Sequence, residues 1–212
     1  MTLMQIEYRP MELPNVGVLE VKVPTVVMAV IRAEVDQIQT DFNQHEAVNS
    51  KLAGNLEREY ALKTCRALVE PFILQVSEIY QQKNIRDLSQ GSHMALDGLW
   101  CNFQKATEFN PNHTHSGLLS FVIWVQVPYD IQQELDHSPG RKGVKNIAGC
   151  FELLYNNSIG DLATMVVAAD RSWESRMLMF PARMAHCVYP FYTSQDYRIS
   201  VSGNVVVSNI KC

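Results

Sequence analysis

The chain of 212 residues has no Cys-x-x-Cys pair, no apolar run of 18 residues and no long block of like charge. Each absence removes a class of function. The five cysteines, Cys65, Cys101, Cys150, Cys187 and Cys212, are odd in number and far apart, which argues for reduced thiols in a cytosol and against a disulfide framework. Without a long apolar run there is no transmembrane helix to read, and the opening "MTLMQIEYRPMELP" lacks the apolar stretch of a secretory signal. A soluble, cytoplasmic protein with no membrane partner is expected. The 18 basic and 22 acidic residues leave a formal charge of −4, so counterion release on a phosphate backbone has little to work with and nucleic acid is disfavoured as a partner. What the chain does have is 47% hydrophobic and 19% charged residues, enough to bury a core in one domain spanning 1–212.

Two textures divide that domain. The first, over 1–95, reads as a helical support region with one early strand near 17–22. From Pro24, "TVVMAVIRAEVDQIQTDF" sets Val27, Ile31, Val35 and Ile38 at helical spacing, with Thr25 as the expected cap. A second, longer helix is expected over 56–84, kinked at Pro71. Over 96–210 the pattern changes to short apolar segments broken by turn residues, among them "LLSFVIWVQVP", "RMLMFPA" and "YRISVSGNVVVS", which suggests a sandwich or jelly roll. The fold class expected is α+β, mainly β. The stretch 129–149, rich in charge, Gly and Pro, reads as a lid or binding loop, or else as a plain surface excursion.

Six histidines are present, and "NHTHSG" at 112–117 puts two of them one residue apart. On an extended strand His113 and His115 share a face, because side chains alternate with period two, and both imidazoles can then reach one point. A third ligand has to come from elsewhere, and His186 in "MFPARMAHCVYPF" opens a late strand that antiparallel pairing can set opposite them. His45, His93 and His137 lack such context. Arg198, in the apolar alternating "YRISVSGN", is expected to be buried on one face with Ser200, and a buried guanidinium requires an anionic partner such as a ligand carboxylate. By the same alternation Asn102 shares a face with Trp100, and Asn204 a face with Arg198. Either asparagine can support a ligand or simply bond within the sheet. Tyr189 and Tyr197 read as core before pocket.

The run "LWCNFQKATEFNPNHTHSGLLSFVIWVQVP", followed by "LMFPARMAHCVYPF" and "RISVSGN", resembles the iron(II)- and 2-oxoglutarate-dependent oxygenases. It is similar in particular to prolyl-hydroxylase-like members from bacteria and marine tailed phages. Their pattern runs W-x-N, H-x-H or H-x-D, S-G-x-x-Y-x-x-x-P, F-P-x-x-x-x-H-x-V-x-P and R-x-S-x-x-x-N, and it spans roughly residues 96–206 here. The resemblance implies a double-stranded β-helix core behind N-terminal supporting helices. It implies Fe(II) held by His113, His115 and His186, with the distal carboxylate of 2-oxoglutarate on Arg198 and Ser200. Asn102, Trp124 and Asn204 are further candidates for the cosubstrate's surroundings, and O2 is the oxidant. The reaction implied is hydroxylation of a C–H bond in a protein or peptide side chain or a small metabolite, with succinate and CO2 as co-products.

Two positions depart from the pattern. His115 stands where the common facial triad has a carboxylate, which leaves the site one unit more positive. Phe121 and Trp124 stand where relatives often carry Gly and Tyr, so position 124 offers no hydroxyl. Two other readings remain open at this level: a cupin-like metalloenzyme that does not use 2-oxoglutarate, and a metal-free jelly-roll binding or virion-associated module. The primary substrate and the oligomeric state, a homodimer included, are not readable from the residues.

Overall fold

The computed structural model describes Arg9, residues 16–83 and residues 92–208. Strand β1 (Leu19–Lys22) is followed by helix α1 (Thr25–Thr40), strand β2 (Glu59–Ala61), helix α2 (Arg66–Lys83) and strand β3 (Met94–Gln104). Then come β4 (Asn110–His113), β5 (Leu119–Gln126), the short helix α3 (Ile131–His137), β6 (Phe151–Asn156), β7 (Leu162–Val167), β8 (Arg176–Pro181), β9 (Ala185–Val188) and β10 (Arg198–Val207). A six-stranded sheet runs β1-β8-β5-β10-β3-β2 and a four-stranded sheet runs β4-β9-β6-β7, with every pairing antiparallel. The result is the expected α+β, mainly β jelly roll.

Period-two alternation builds three layers from this order. On β5, β8 and β10, Phe121, Ile123, Met177, Met179, Ile199 and Val201 point one way, onto Ile31, Val35 and Ile38 of α1 and Val69 and Ile73 of α2. The intervening Val122, Trp124, Leu178 and Phe180 point the other way, onto Phe151 and Leu153 of the smaller sheet. Because β5 is covered on both faces, its centre, Phe121 to Val125, is apolar on both faces, with Ser120 and Gln126 only near its ends. The helices therefore support the back of the large sheet, and the space between the two sheets is left for the site.

Three expectations are corrected. The long helix over 56–84 begins only at Arg66; the residues before it include β2, which pairs with β3 and becomes an edge of the large sheet. Leu56, Tyr60 and Leu62 are buried as expected, but from an extended segment, since a short apolar spacing fits either geometry until its partner is known. Position 84 lies outside the described residues, as do 209–212 with Cys212. Pro71 sits near the start of α2, where few backbone bonds are lost. Thr25 is the first residue of α1 rather than its cap, because Pro24, extended at φ −57° and ψ 143°, already occupies the boundary. Finally, the stretch 129–149 contains α3 and is tied down: Glu134, fully buried, accepts hydrogen bonds from the backbone of Tyr192 and Thr193 and from the Thr193 hydroxyl, and Lys145 pairs with Glu152. Among the described residues, no helix is long and apolar enough to cross a membrane.

One buried acid orients the helical layer. Glu34 of α1 accepts from the backbone N–H groups of Lys63 and Thr64 at 2.7 and 2.9 Å and of Cys65 at 2.7 Å, just ahead of α2. Burial raises its pKa, but these three bonds outweigh that and hold it below the usual carboxylate range. Replacing Glu34 with Ala strands three amide donors and should cost about 3 kcal/mol in chemical denaturation. The depressed pKa means that this stabilisation is complete above the unfolded-state value near 4.5 and disappears as pH falls through the lower folded-state value. Wild type should therefore lose more stability than Glu34→Gln between pH 5 and strong acid.

Candidate functional site

The two histidines of "NHTHSG" and the one of "MAHCV" meet between the sheets. In the β4 to β9 pairing, His113 lies directly opposite His186. Their ring centroids are 4.3 Å apart, and His115 lies 4.9 and 5.1 Å from them. One ligand atom from each ring falls within 4.8 Å of the other two, a set that could hold a metal ion. His115 is past the end of β4, and its backbone N–H is anchored on Ala182 at 2.8 Å. The chain then turns through Gly117 at φ +112°, where an added Cβ would stand 2.9 Å from the Val205 carbonyl. Glycine is required there for the second histidine to face the first.

The protonation of two rings follows from their partners. His113 Nδ1 is 2.7 Å from the Pro111 carbonyl and His186 Nδ1 is 3.0 Å from the Met184 carbonyl. A carbonyl only accepts, so each Nδ1 donates, and each Nε2 is the ring nitrogen not used in that bond. Backbone-held tautomers of this kind orient metal-ligating histidines. Burial, followed by the nearness of His113, pushes the pKa of His115 down to about 4 and that of His186 to about 3, so both are neutral at pH 7. Three imidazole nitrogens at one point suit a borderline divalent transition ion.

Trp100, tilted against His115 with centroids 5.9 Å apart, walls this cavity, whose volume is about 510 Å³ counted out to its open mouth. Behind it an inner cavity shares Asn102, Asn110, Val122 and Ser200 and adds Gln104, Trp124 and Arg198. Arg198 is 4% exposed. All five of its N–H donors are engaged: Nε and Nη2 on Gln104 Oε1 at 3.1 and 2.6 Å, Nη2 also on the Tyr189 carbonyl at 2.8 Å, and Nη1 on the Tyr129 hydroxyl and the Gly149 carbonyl, both at 2.6 Å. The expected burial is present, but the expected need for an external hydrogen-bond partner is not. Each partner is neutral, so the hydrogen bonds are satisfied while the charge has no carboxylate bonded to it.

The remaining candidates separate. Asn102 Nδ2 donates to Ser200 Oγ at 3.2 Å, which frees the Ser200 hydroxyl proton to point elsewhere. Trp124 lines the inner cavity and packs on Phe151 and Trp173. Asn204 is bonded to Ser120 at 2.7 Å and lines neither cavity, because six residues along a strand carry it past the imidazoles to the far end. Tyr189 is turned to Glu152, and Tyr197 packs against Phe42 and Phe103.

Four residues that sequence reasoning passed over help build the site. Gln104 lies two residues beyond Asn102, so alternation alone could have found it. Tyr129 and Gly149, at the two ends of the supposed loop, had no signal of their own. Glu59 was hidden inside the expected helix. It is 1% exposed on the wall of the outer cavity, and burial, then the neighbouring Glu108, raises its pKa to about 7.

Comparisons with known proteins agree with this geometry. Residues 98–204, just over half of the chain, match the family described as "Putative 2OG-Fe(II) oxygenase". No curated protein matches the sequence. Among solved structures, a prolyl-4-hydroxylase from Pseudomonas putida is similar at 11% identity, covering 91% of this chain and 93% of its own, with a TM-score of 0.57. HygX from Streptomyces hygroscopicus, determined with nickel, 2-oxoglutarate and hygromycin B bound, is similar at 10% identity, with 92% and 84% covered and a TM-score of 0.53. The viral collagen prolyl hydroxylase of Paramecium bursaria Chlorella virus-1 is similar at 6% identity, with 89% and 94% covered and a TM-score of 0.50. At such identities the likeness is one of fold. The family match is what displaces the cupin-like and metal-free readings: the chain belongs to the 2-oxoglutarate- and iron(II)-dependent oxygenases, and is an oxygenase with iron(II) and 2-oxoglutarate as its cofactors.

Proposed function

We propose that His113, His115 and His186 hold the iron(II), that the distal carboxylate of 2-oxoglutarate takes the place of Gln104 Oε1 on Arg198, beside Ser200, and that residues 1–212 act as a single hydroxylase domain. The observation that carries this reading is the adjacency of two cavities, one lined by three imidazoles and the next by a buried guanidinium with no carboxylate bonded to it. Iron(II) with 2-oxoglutarate and O2 would supply an oxidant able to replace a C–H hydrogen by hydroxyl, one oxygen atom of O2 going to the product and the other to succinate as CO2 is released. The protein's own residues do the placing. Nδ1–H bonds to backbone fix the rings of His113 and His186, and the floor of the inner cavity is held by Tyr129 and Gly149. Asn102 donates to Ser200, which orients the serine hydroxyl as a donor toward an incoming anion. Trp124 and Val122 keep the cavity wall apolar, which limits water.

The substrate is a C–H bond of a protein or peptide side chain or of a small metabolite. The similar structures include both prolyl hydroxylases and HygX with hygromycin B bound, so the fold admits either class. Four buried, unpaired cysteines support a reducing, cytoplasmic setting.

Anaerobic titration with Fe(II) and then 2-oxoglutarate should produce a weak visible charge-transfer band that needs both components. His186→Ala should lose iron binding, since only two imidazole ligands remain. Arg198→Ala should weaken 2-oxoglutarate by at least about tenfold, equivalent to about 1.4 kcal/mol, while leaving iron affinity nearly intact. Equal loss of both ligands in Arg198→Ala would contradict the division of roles. Gln104→Glu provides a separate check: it places a carboxylate on the Nε and Nη2 edge that now meets Gln104 Oε1. Calorimetry should then show weaker 2-oxoglutarate binding with unchanged iron binding.

A further inference from the structure

We propose that Glu59, together with Asn102 and Asn110, forms a subsite for a positively charged amine of the primary substrate, on the wall of the outer cavity. The inference rests on the reading of that cavity as the active site, and it narrows the substrate class to cationic amines.

Glu59 of β2 is the register partner of Asn102 of β3, so the two side chains stand side by side on one face of the large sheet. Asn110 comes from β4 in the smaller sheet, and all three line the cavity that holds the imidazoles. The segment carrying Leu52, Ala53 and Gly54 closes over them and is bridged to β4 by the bond from Asn55 N–H to the Phe109 carbonyl, 2.9 Å. A Cβ at Gly54 would stand 2.6 Å from Asn110 Oδ1 and 2.7 Å from Glu59 Oε1, so the absent side chain lets these oxygens approach a common point.

The three groups share an unusual deficit. Glu59 Oε2, Asn102 Oδ1 and Asn110 Oδ1 are buried and have no hydrogen-bond partner. Buried oxygens without partners are uncommon in folded proteins and costly, so three around one void call for an occupant that donates. The Asn102 side-chain N–H donates to Ser200 Oγ, which leaves its oxygen without a partner beside the cavity. A primary ammonium carries three N–H donors and no acceptor, and so matches three acceptors. A hydroxyl has one donor, and a carboxylate has none and meets acceptors only. Glu59 is the ionisable member, so a cation adds charge attraction to hydrogen bonding. Burial raises its pKa to about 7, with Glu108 adding to the shift, a state in which an arriving cation favours the carboxylate form.

The test uses n-butylamine, 1-butanol and butyrate as probes of the full chain, with Zn(II) in place of iron and 2-oxoglutarate present, following dissociation constants by NMR titration. The amine should bind wild type at least about tenfold more tightly than the alcohol, with butyrate weakest. Glu59→Gln, of the same shape, should erase that preference, leave 2-oxoglutarate affinity within about twofold and melt no lower than wild type, because the buried carboxyl has no partner to lose. Equal binding of amine and alcohol to wild type, or an amine preference that survives in Glu59→Gln, would overturn the proposal. Asn110→Asp adds a second carboxyl to the same wall and should tighten the amine; unchanged or weaker amine binding there counts against the subsite even if Glu59→Gln fails to fold. Loss of 2-oxoglutarate binding in wild type sinks the cosubstrate reading instead, and leaves the amine comparison to decide this one.

Discussion

The pairing of β4 with β9 governs the site. It sets His113 against His186 across the smaller sheet, and the turn through Gly117 brings His115 round to the same point. A slip of one residue in that register would send a ring to the opposite face, because side chains alternate with period two. The register is held away from the imidazoles themselves, by the backbone bond of His115 to Ala182 and by the extension of β9 into β6, where Leu153 faces His186. Any ion at this point is therefore met by rings whose positions belong to the sheet.

The second constraint is electrostatic. Arg198 is a buried cation surrounded by neutral acceptors, and such an arrangement leaves the charge itself uncompensated. The segment between Tyr129 and Gly149 matters for this reason. Its ends contact the guanidinium, and its helix is pinned by Glu134 to the chain leading into β10. A stretch that reads in sequence as a lid or binding loop, or else as a surface excursion, is fastened under Arg198. The outer cavity shows the opposite imbalance, with oxygens that lack donors. The guanidinium and these oxygens adjoin through Asn102 and Asn110, which line both cavities.

Much of this was legible in the residues for one reason: alternation in strands is a local property. Arg198 with Ser200 on one face and Trp100 with Asn102 on one face follow from counting by two, whereas His115 lies past the end of β4 and meets His113 and His186 from outside the strand. The same counting was unreliable where the element type was misjudged. Between Leu56 and Leu62 the apolar spacing suits a helical face as well as an extended edge, and the choice fell to pairing with β3, which no local pattern announces. Glu59 was lost with that choice. Asn204 was placed on the right face but too far along the strand, because parity says nothing about depth.

The sequence by itself determined the chemistry available: three imidazoles, one guanidinium in an apolar strand, and a two-sided apolar β5 that requires cover on both faces. Only the tertiary structure decided which atoms lack partners. Whether Arg198 meets a carboxylate or a glutamine, and whether the oxygens of Glu59, Asn102 and Asn110 find donors, depends on strands and segments brought together from far apart in the chain. Hydrogen-bond satisfaction is a property of the assembled enclosure, and no stretch of residues carries it alone.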